Sequence, residues 1–318
     1  MCPVSYGHCI LYKYTKFVKI CQMKGDWSGG HRNRISWLLS KIMKAVMKYP
    51  GSKWSIADWI ISFFPEHYSY LEAFFGSGAV LFNKPRSNIE TVNDLDGNVV
   101  NLFEWIRKDP ERLAREIYLT PYARQIYDDA FKMIPDDSFG KAVNFYIRLN
   151  MGYGFRTNNS KVGWKNDVQG REKAYAAKDW CVLPEKIMQA AERIRGVQIE
   201  NRKAIEVIER FNNPKVLIYA DPPYVLSTRN GKQYRHEMDD KQQNILIDVL
   251  LDHKGPVLLS GYDSDLYNDR LQGWHREETI CYSQVSSKKR EVLWMNFEPA
   301  GQINIHDFIC QREFKKGE

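Results

Sequence analysis

The chain has 318 residues, of which 43% are hydrophobic and 27% charged, and its formal net charge is +7. This length suits two domains or one large α/β domain with an insertion, and the composition excludes disordered, collagenous and low-complexity proteins. Apolar runs stay well below the roughly 18 residues of a spanning helix, and the start of the chain lacks a secretory signal. We therefore expect a cytoplasmic protein with no membrane partner.

Much of the positive charge lies at the amino-terminal end. Residues 1–48 contain nine Lys or Arg and one acidic residue, Asp26, so the remaining residues have a net charge of −1. The candidates for a zinc site in this segment are Cys2, Cys9, Cys21, His8 and His31. Their spacing fits no zinc module, and we predict no metal site. Residues 1–47 are interpreted as a basic extension, either a DNA-binding arm or a poorly ordered segment.

From about residue 54 onward, helices alternate with short apolar strands. The predicted helices are Ser55–Phe64, Val99–Lys108 and Asp239–His253, and the predicted strands are Tyr70–Phe74, Ile89–Asn93, Val197–Ile199, Val216–Ala220, Val257–Ser260 and Val292–Phe297. This alternation predicts an α/β fold, doubly wound around a mainly parallel, Rossmann-like sheet. A mostly helical insert, 109–196, separates the two halves of this domain, 48–108 and 197–318.

The first strand runs into a glycine-containing turn. In a doubly wound sheet, ligands bind beyond the carboxyl ends of the strands. The glycines Gly76 and Gly78 let the backbone turn sharply and approach a ligand closely. Leu81 stands where a dinucleotide fingerprint has a third glycine, so a nucleotide-like ligand without a pyrophosphate fits better. By itself, this pattern is equally consistent with a plain tight turn.

Asp94 lies at the end of the next predicted strand. A carboxylate in this position can accept hydrogen bonds from both hydroxyls of a ribose. Asp94 could instead cap the helix that begins near Gly97. Because Asp96 can serve as that cap, we expect Asp94 to face the ligand.

The strongest motif is Asp221-Pro222-Pro223-Tyr224, which follows the apolar strand Val216–Ala220. Two prolines hold the chain extended, so the carboxylate and the aromatic ring are presented at the edge of the sheet. This combination suits the binding of a planar, amino-substituted ring, which would stack on Tyr224. Its exocyclic amine would donate to Asp221 and to the Pro222 carbonyl, and this favours a pyramidal nitrogen whose lone pair can attack.

A second charged region lies within the insert. Between Lys141 and Lys178 there are eight basic residues against two acidic ones, Asp167 and Glu172. The interleaved aromatic residues are Phe145, Tyr146, Tyr153, Phe155, Trp164 and Tyr175. Basic groups among flat side chains are typical of a nucleic-acid surface, but a solvated region containing core aromatics is an equal alternative.

Taken together, the motifs resemble those of the Dam-like family of DNA adenine methyltransferases from phages and restriction systems, over about residues 48–298. The segments that carry the resemblance are Lys48–Lys53, Glu72–Gly78, Asn93–Asp96, Asp221–Tyr224, Leu259–Tyr262 and Glu291–Asn296. Their order, with the cofactor loop before the insert and the DPPY motif after it, matches one subclass of the family.

The resemblance implies S-adenosylmethionine as cofactor and the N6 amine of adenine in double-stranded DNA as acceptor, reached by base flipping. It implies that the protein acts in the cytoplasm of a prokaryotic or phage-infected cell, and it is compatible with a cognate restriction nuclease as a partner. The implied catalytic residues are Asp221, Pro222, Pro223 and Tyr224. The implied cofactor-binding residues are Tyr49, Lys53, Phe74, Phe75, Gly76, Ser77, Gly78, Asp94, Leu95 and Asp221. The implied DNA-binding residues are Lys141, Arg148, Arg156, Lys161, Lys165 and Arg171.

Two positions depart from the family pattern, and three other functions stay open. Ala73 replaces a proline, and Lys203 stands where an acidic residue near the cofactor adenine is expected. A methyltransferase acting on cytosine N4 more often has Ser at the position of Asp221, and one acting on RNA or protein glutamine more often has Asn. A non-catalytic DNA-binding module would need neither the glycine loop nor the DPPY motif.

Overall fold

The structure, a computed structural model, describes residues 45–158, 160–166, 176–228, 231, 233–282 and 288–299. The strands are β1 (Ser69–Glu72), β2 (Ile89–Asn93), β3 (Gln198–Glu200), β4 (Val216–Ala220), β5 (Val257–Tyr262), β6 (His275–Tyr282) and β7 (Lys288–Met295). They form one sheet in the order β3-β2-β1-β4-β5-β7-β6. The first five strands in this order are parallel, and β7 pairs antiparallel with both β5 and β6.

The helices surround this sheet. They are α1 (Ala57–Ser62), α2 (Ala79–Asn83), α3 (Gly97–Lys108), α4 (Pro110–Leu119), α5 (Arg124–Lys132), α6 (Ser138–Met151), α7 (Ala176–Cys181), α8 (Leu183–Ile194), α9 (Ala204–Arg210), α10 (Asp240–Leu251) and α11 (Asp265–Arg270). Among the described residues, no helix combines the length and apolarity needed to cross a membrane.

Strand β4 shows why the sheet is covered on both sides. Successive side chains of a strand point to opposite faces. Accordingly, Leu217 and Tyr219 pack in one apolar core together with helices α3, α6 and α8. Ile218 and Ala220 pack in a second core together with α9 and α10. The predicted doubly wound, mainly parallel α/β fold is confirmed.

Most of the predicted elements are present, with two differences near the end of the chain. Strands β2 and β4 have the predicted bounds, whereas β7 begins and ends earlier than expected. Strand β6 was not predicted, because its sequence is rich in charged residues and contains no apolar run. Charged side chains are typical of a strand at the edge of a sheet, and β6 occupies such an edge.

The predicted insert and the end of the predicted extension both contribute to the apolar core that contains Leu217 and Tyr219. Tyr127, Tyr146 and Trp180 pack in the same core as Phe103 of α3. Val46 and Met47 are fully buried, and the Tyr146 hydroxyl donates to the Val46 carbonyl at 2.5 Å. The packing therefore favours a boundary of the extension before Val46.

Candidate active site

A cleft of about 1180 Å³, part of which is open to solvent, lies at the carboxyl ends of β1, β2 and β4. This is where the strand order reverses between β1 and β4, the usual position of a ligand site in such sheets. The lining residues expected from the sequence are Tyr49, Lys53, Phe74, Phe75, Gly76, Ser77, Asp94, Leu95, Asp221 and Pro223. Gly78, Pro222 and Tyr224 lie outside this lining set.

The loop after β1 requires both of its glycines. Gly76 and Gly78 have φ angles of +49° and +67°, in the left-handed region that side chains disfavour. A Cβ on Gly76 would lie 2.9 Å from the Tyr49 ring, and one on Gly78 would lie 2.6 Å from the Phe75 ring. The loop thus brings its backbone against the cleft wall, as expected for a close approach to a ligand.

Two aspartates after β2 have different roles. Asp94 accepts from the backbone N–H groups of Gly76 and Asp96, each at 2.8 Å. Asp96 caps α3 by accepting from the Asn98 N–H, as the sequence analysis expected. The other carboxylate oxygen of Asp96, Oδ2, is buried and has no hydrogen-bond partner among the described residues. The cleft therefore contains one carboxylate fixed by the backbone and one buried acceptor that a ligand hydroxyl would satisfy.

Two carboxyl groups that line the cleft, those of Asp94 and the buried Glu72, have strongly shifted pKa values. Burial raises the pKa of Asp94 to about 7, although the hydrogen bonds from Asp96 and Gly76 lower it. Burial likewise raises the pKa of Glu72 to about 8, against the lowering effect of its bonds from the Tyr70 hydroxyl and the Leu81 N–H. Asp94 therefore changes its charge near neutral pH.

The carboxylate of the DPPY motif is held by two donors. Lys53 Nζ lies 2.8 Å from Asp221 Oδ1, and the buried Ser260 hydroxyl donates to the same oxygen at 2.9 Å. Lys53 also donates to the Gly51 carbonyl at 2.7 Å, and its side chain is only 6% exposed. Within the described part of the chain, Asp221 Oδ2 forms no hydrogen bond. This leaves one carboxylate oxygen as an acceptor for a ligand.

Tyr224 is 93% buried and fixed on several sides. Its hydroxyl donates to Glu291, its ring meets Tyr262 edge to face at 4.5 Å, and Lys53 Nζ lies 4.8 Å from the ring centroid. These contacts orient the ring next to Asp221, three residues earlier in the chain.

The proline segment between these two residues is also supported from the core. Gln243 of α10 donates to the Pro223 carbonyl at 2.7 Å, and the Tyr267 hydroxyl donates to Gln243 at 2.7 Å. Gln243 is completely buried. The motif is therefore held rigidly at the end of β4, as electrostatic preorganisation of a reacting group requires.

Among the described residues of the insert, the segment that follows α6 reaches the cleft. In this segment, Gly152 forms an antiparallel bridge with Trp164. Thr157, at 4% exposure, lines the cleft and exchanges hydrogen bonds with a segment after the DPPY motif. Its N–H donates to the Gln233 carbonyl, and its hydroxyl accepts from the Arg235 N–H. The neighbouring Arg156 is exposed and, with Phe131, Phe145 and Arg148, lines a second and much smaller pocket next to Thr157.

The other predicted DNA-binding residues have varied surroundings. Lys141 is exposed, and Arg148 is half-buried with its guanidinium 5.4 Å from the Phe131 ring centroid. Lys161 pairs with Asp128 at 2.7 Å, and Lys165 is half-buried. Arg171 lies outside the described residues.

The aromatic residues of the insert divide between core and surface. Phe145 and Tyr146 are buried in the core, as the alternative of core aromatics within a solvated charged region predicts for them. Tyr153 is 42% exposed, and Phe155 is half-buried with Lys48 Nζ 5.8 Å from its ring centroid. The spacing of these aromatics along the sequence did not distinguish buried from exposed ones. The difference is that Phe145 and Tyr146 lie on the buried side of α6, whereas Tyr153 lies in the segment after this helix.

Several residues of the site were missed or left unassigned by the sequence analysis. Ser260 and Glu291 lie in segments that resemble the family, but neither was given a role. Thr157 and Tyr234 carried no local signal, and Lys203 lines the cleft where an acidic residue was expected. Among the described residues, no cluster of His, Cys, Asp and Glu side chains could hold a metal ion.

Comparison with known proteins adds a family assignment to this geometry. Residues 49–284 match the family described as D12 class N6 adenine-specific DNA methyltransferase. The chain is 25% identical over 244 residues to a DNA adenine methylase of Escherichia coli strain K12, covering 72% of this chain and 84% of the relative. It is 23% identical over 292 residues to the type II methyltransferase M.MjaIII of Methanocaldococcus jannaschii, covering 80% of this chain and 99% of the relative.

A distant likeness to a solved structure was also found. A crystal structure of a SAM-dependent methyltransferase from Agrobacterium tumefaciens superposes with a TM-score of 0.34 at 11% identity, covering 77% of this chain and 61% of the other.

Proposed function

The chain belongs to the D12 class of N6 adenine-specific DNA methyltransferases, and we propose that it uses S-adenosylmethionine to methylate adenine that has been flipped out of duplex DNA. The observation that carries this proposal is the Asp221 carboxylate. One of its oxygens is held by Lys53 and Ser260, and the other remains available to an amine at the end of the cleft.

The cleft suits the cofactor because of the chemistry of its lining. Apolar and aromatic side chains with a few polar groups among them are typical of a small-molecule site. We propose that Asp94 and the unsatisfied Oδ2 of Asp96 accept the ribose hydroxyls, while the turn at Gly76 lets the backbone approach the ligand. The remaining proposed contacts are Tyr49, Lys53, Phe74, Phe75, Ser77, Gly78, Leu95 and Asp221. When bound, S-adenosylmethionine supplies a methyl group activated by a positively charged sulfur.

The acceptor side of the site positions the adenine. An adenine amine is hidden inside duplex DNA, so the base must leave the stack to reach Asp221. We propose that the ring stacks on Tyr224 and that its amine donates to Asp221 and to the Pro222 carbonyl. The nitrogen lone pair is then released from the ring for attack, and the enzyme acts mainly by positioning the two partners.

The domain roles are proposed on the same grounds. We propose that 48–108 and 197–318, together with the buried Val46 and Met47, form the catalytic domain, that 109–196 is the DNA-recognition insert, and that the residues before Val46 are an extension. The DNA contacts proposed for the insert are Lys141, Arg148, Arg156, Lys161, Lys165 and Arg171. The position of Arg156 beside Thr157, which lines the cleft, supports an approach of DNA from this side.

Cofactor binding is expected to depend on the charge of Asp94. An ionised carboxylate is the stronger acceptor for hydroxyls. Because burial raises the pKa of Asp94 to about 7, this form is lost as the pH falls through about 7, well above the range of an ordinary aspartate. The affinity for S-adenosylmethionine, measured by calorimetry, should therefore be up to about tenfold weaker at pH ~6 than at pH ~8.

The Asp94→Asn variant separates this effect from titration of the cofactor itself. We expect it to bind weakly across this pH range and to lose the part of the pH dependence that Asp94 causes. Asp248→Asn, on an exposed part of α10, should behave as the wild type. An Asp94→Asn variant with unchanged affinity and pH dependence would place the ribose elsewhere.

DNA binding is expected to depend on basic residues of the segment that follows α6. If Arg156 and Lys165 neutralise phosphates, replacing both with alanine should reduce the slope of log affinity against log salt by about 0.9 for each phosphate that is no longer neutralised. The measurement is fluorescence anisotropy of a labelled duplex at several salt concentrations. The control replaces Lys215 and Lys254, exposed residues at the amino ends of β4 and β5, on the opposite edge of the sheet. An equal change of slope in both double variants would contradict an approach from the insert side.

A further inference from the structure

Glu291 of β7 lies next to the proposed reaction centre, yet the mechanism above does not use it. Its side chain is 3% exposed, and its Oε1 lies 3.6 Å from Lys53 Nζ. The Tyr224 hydroxyl donates to the same oxygen, and the Cys281 thiol donates to Oε2 at 3.8 Å. The burial of this carboxylate requires an explanation, because burying a charge costs free energy unless the charge is paired.

The donors around Glu291 favour its ionised form. Burial and the nearby charge of Asp221 raise the pKa of Glu291 above its usual value, although Lys53 and the Tyr224 hydroxyl act in the opposite direction. Tyr262, its neighbour across the β5–β7 pair, is a further titratable group beside it. An ammonium, a hydroxyl and a thiol all present protons to this carboxylate, and each of these contacts is more favourable to the ionised group.

Lys53 is therefore shared by two carboxylates. Although burial by itself lowers the pKa of its ammonium, the charges of Asp221 and Glu291 raise that pKa above its usual value. Among the described residues, Lys53 is the one cation within ion-pairing distance of either carboxylate. One positive and two negative charges leave a net charge of −1 at the wall of the cleft.

We propose that Glu291 is a positioning residue that keeps this three-residue cluster negative, so that Asp221 retains its strength as an acceptor although Lys53 binds it. This inference rests on the proposed function. In the transfer, the carbon–sulfur bond breaks with its electron pair left on sulfur, a carbon–nitrogen bond forms, and the nitrogen then loses one proton to Asp221 and on to water. Positive charge thus passes from sulfur to nitrogen beside the cluster, where a net negative charge stabilises it.

The decisive variant is Glu291→Gln, which keeps the shape of the side chain and an oxygen for the Tyr224 hydroxyl but removes the charge. The experiment measures, by calorimetry on the full chain, the affinities for S-adenosylmethionine and for its uncharged product, S-adenosylhomocysteine. We expect the ratio of the two affinities to shift against the charged ligand by at least about threefold, as for the loss of a nearby unit charge in a partly buried site. Single-turnover methylation should fall by about tenfold or more.

Matched variants distinguish a charge effect from a packing effect. Glu291→Asp keeps the charge and should keep the affinity ratio near the wild-type value. Glu291→Ala also removes the charge and should reproduce the shifted ratio if the Gln variant folds poorly. Glu278→Gln, a change on neighbouring β6 at a carboxylate that pairs with Arg276 on the surface, should alter neither measurement.

Two outcomes would overturn the inference. An unchanged affinity ratio would show that the charge of Glu291 is not felt in the cleft, and an equal loss of affinity for both ligands would show a purely structural role. Either result leaves the proposed function intact if the wild type methylates DNA and Asp221→Ala does not. A wild-type protein that transfers no methyl group to DNA would instead contradict the proposed function itself.

Discussion

Replacing Asp221 with alanine is expected to lower the single-turnover rate of DNA methylation by at least about a hundredfold, with little change in DNA affinity. The hydrogen bond from the adenine amine to this carboxylate strengthens as the nitrogen becomes pyramidal, so it stabilises the transition state more than the bound substrate. A loss of this order is typical when one preorganised hydrogen bond to the transition state is removed.

The measurement is rapid-quench transfer of labelled methyl groups to a duplex at saturating enzyme and cofactor. Ser260→Ala is the matched control, because it removes one donor to Asp221 Oδ1 and leaves the carboxylate and Lys53 in place. We expect a much smaller loss in that variant. An Asp221→Ala protein that methylates at the wild-type rate would remove Asp221 from the chemistry.

Replacing Tyr224 with alanine is expected to impair the holding of the flipped base. Stacking of a base on an aromatic side chain contributes roughly 1–3 kcal/mol, so the fraction of extruded adenine should fall by about fivefold to more than a hundredfold. Tyr224→Phe and Tyr224→Trp keep a flat ring and should restore much of the loss. The phenylalanine variant keeps the ring and lacks the hydrogen bond to Glu291.

Base extrusion can be followed directly with 2-aminopurine at the target position, since its fluorescence rises when it leaves the stack. Tyr224→Ala should reduce this rise, whereas Asp221→Ala should leave it largely intact. If Tyr224→Phe were as inactive as Tyr224→Ala, the hydroxyl rather than the ring would be the essential part, and the stacking account would fail.

The sequence predicted the central part of the fold well because that part depends on local patterns. Strand β4 is a short apolar run, β2 is a short segment rich in β-branched residues, an aspartate follows each of them directly, and their bounds agree with the structure. The conformation of the glycine loop depends on the positive φ angles of its own glycines, and Asp96 caps α3 as its position in the sequence suggests. Each of these features depends on a few neighbouring residues and could therefore be predicted from the sequence.

The contacts that hold the site together join distant parts of the chain. Tyr224 and Glu291 are 67 residues apart, and Asp221 and Ser260 are 39 apart. No periodicity connects such pairs, so Glu291 and Ser260 could not be given roles from the sequence. Lys53 was expected to touch the cofactor, and only the structure shows its ammonium between two carboxylates.

The charged insert shows a different limit. Counting basic and aromatic residues does not tell which of them point outward, and the same count includes core residues such as Phe145. The charge of Lys161 is already paired with that of Asp128 in the folded protein. Arg156 is exposed and next in sequence to Thr157, which lines the cleft, so it is a stronger candidate for a phosphate contact than Lys161.

The central claim is most directly tested by mass spectrometry of nucleosides from duplex DNA incubated with the protein and S-adenosylmethionine that carries an isotopically labelled methyl group. The account predicts labelled N6-methyl-deoxyadenosine, formed at a rate at least about a hundredfold lower when Asp221→Ala replaces the wild type. Label on the cytosine amine, or label in RNA or protein with none in DNA, would contradict it.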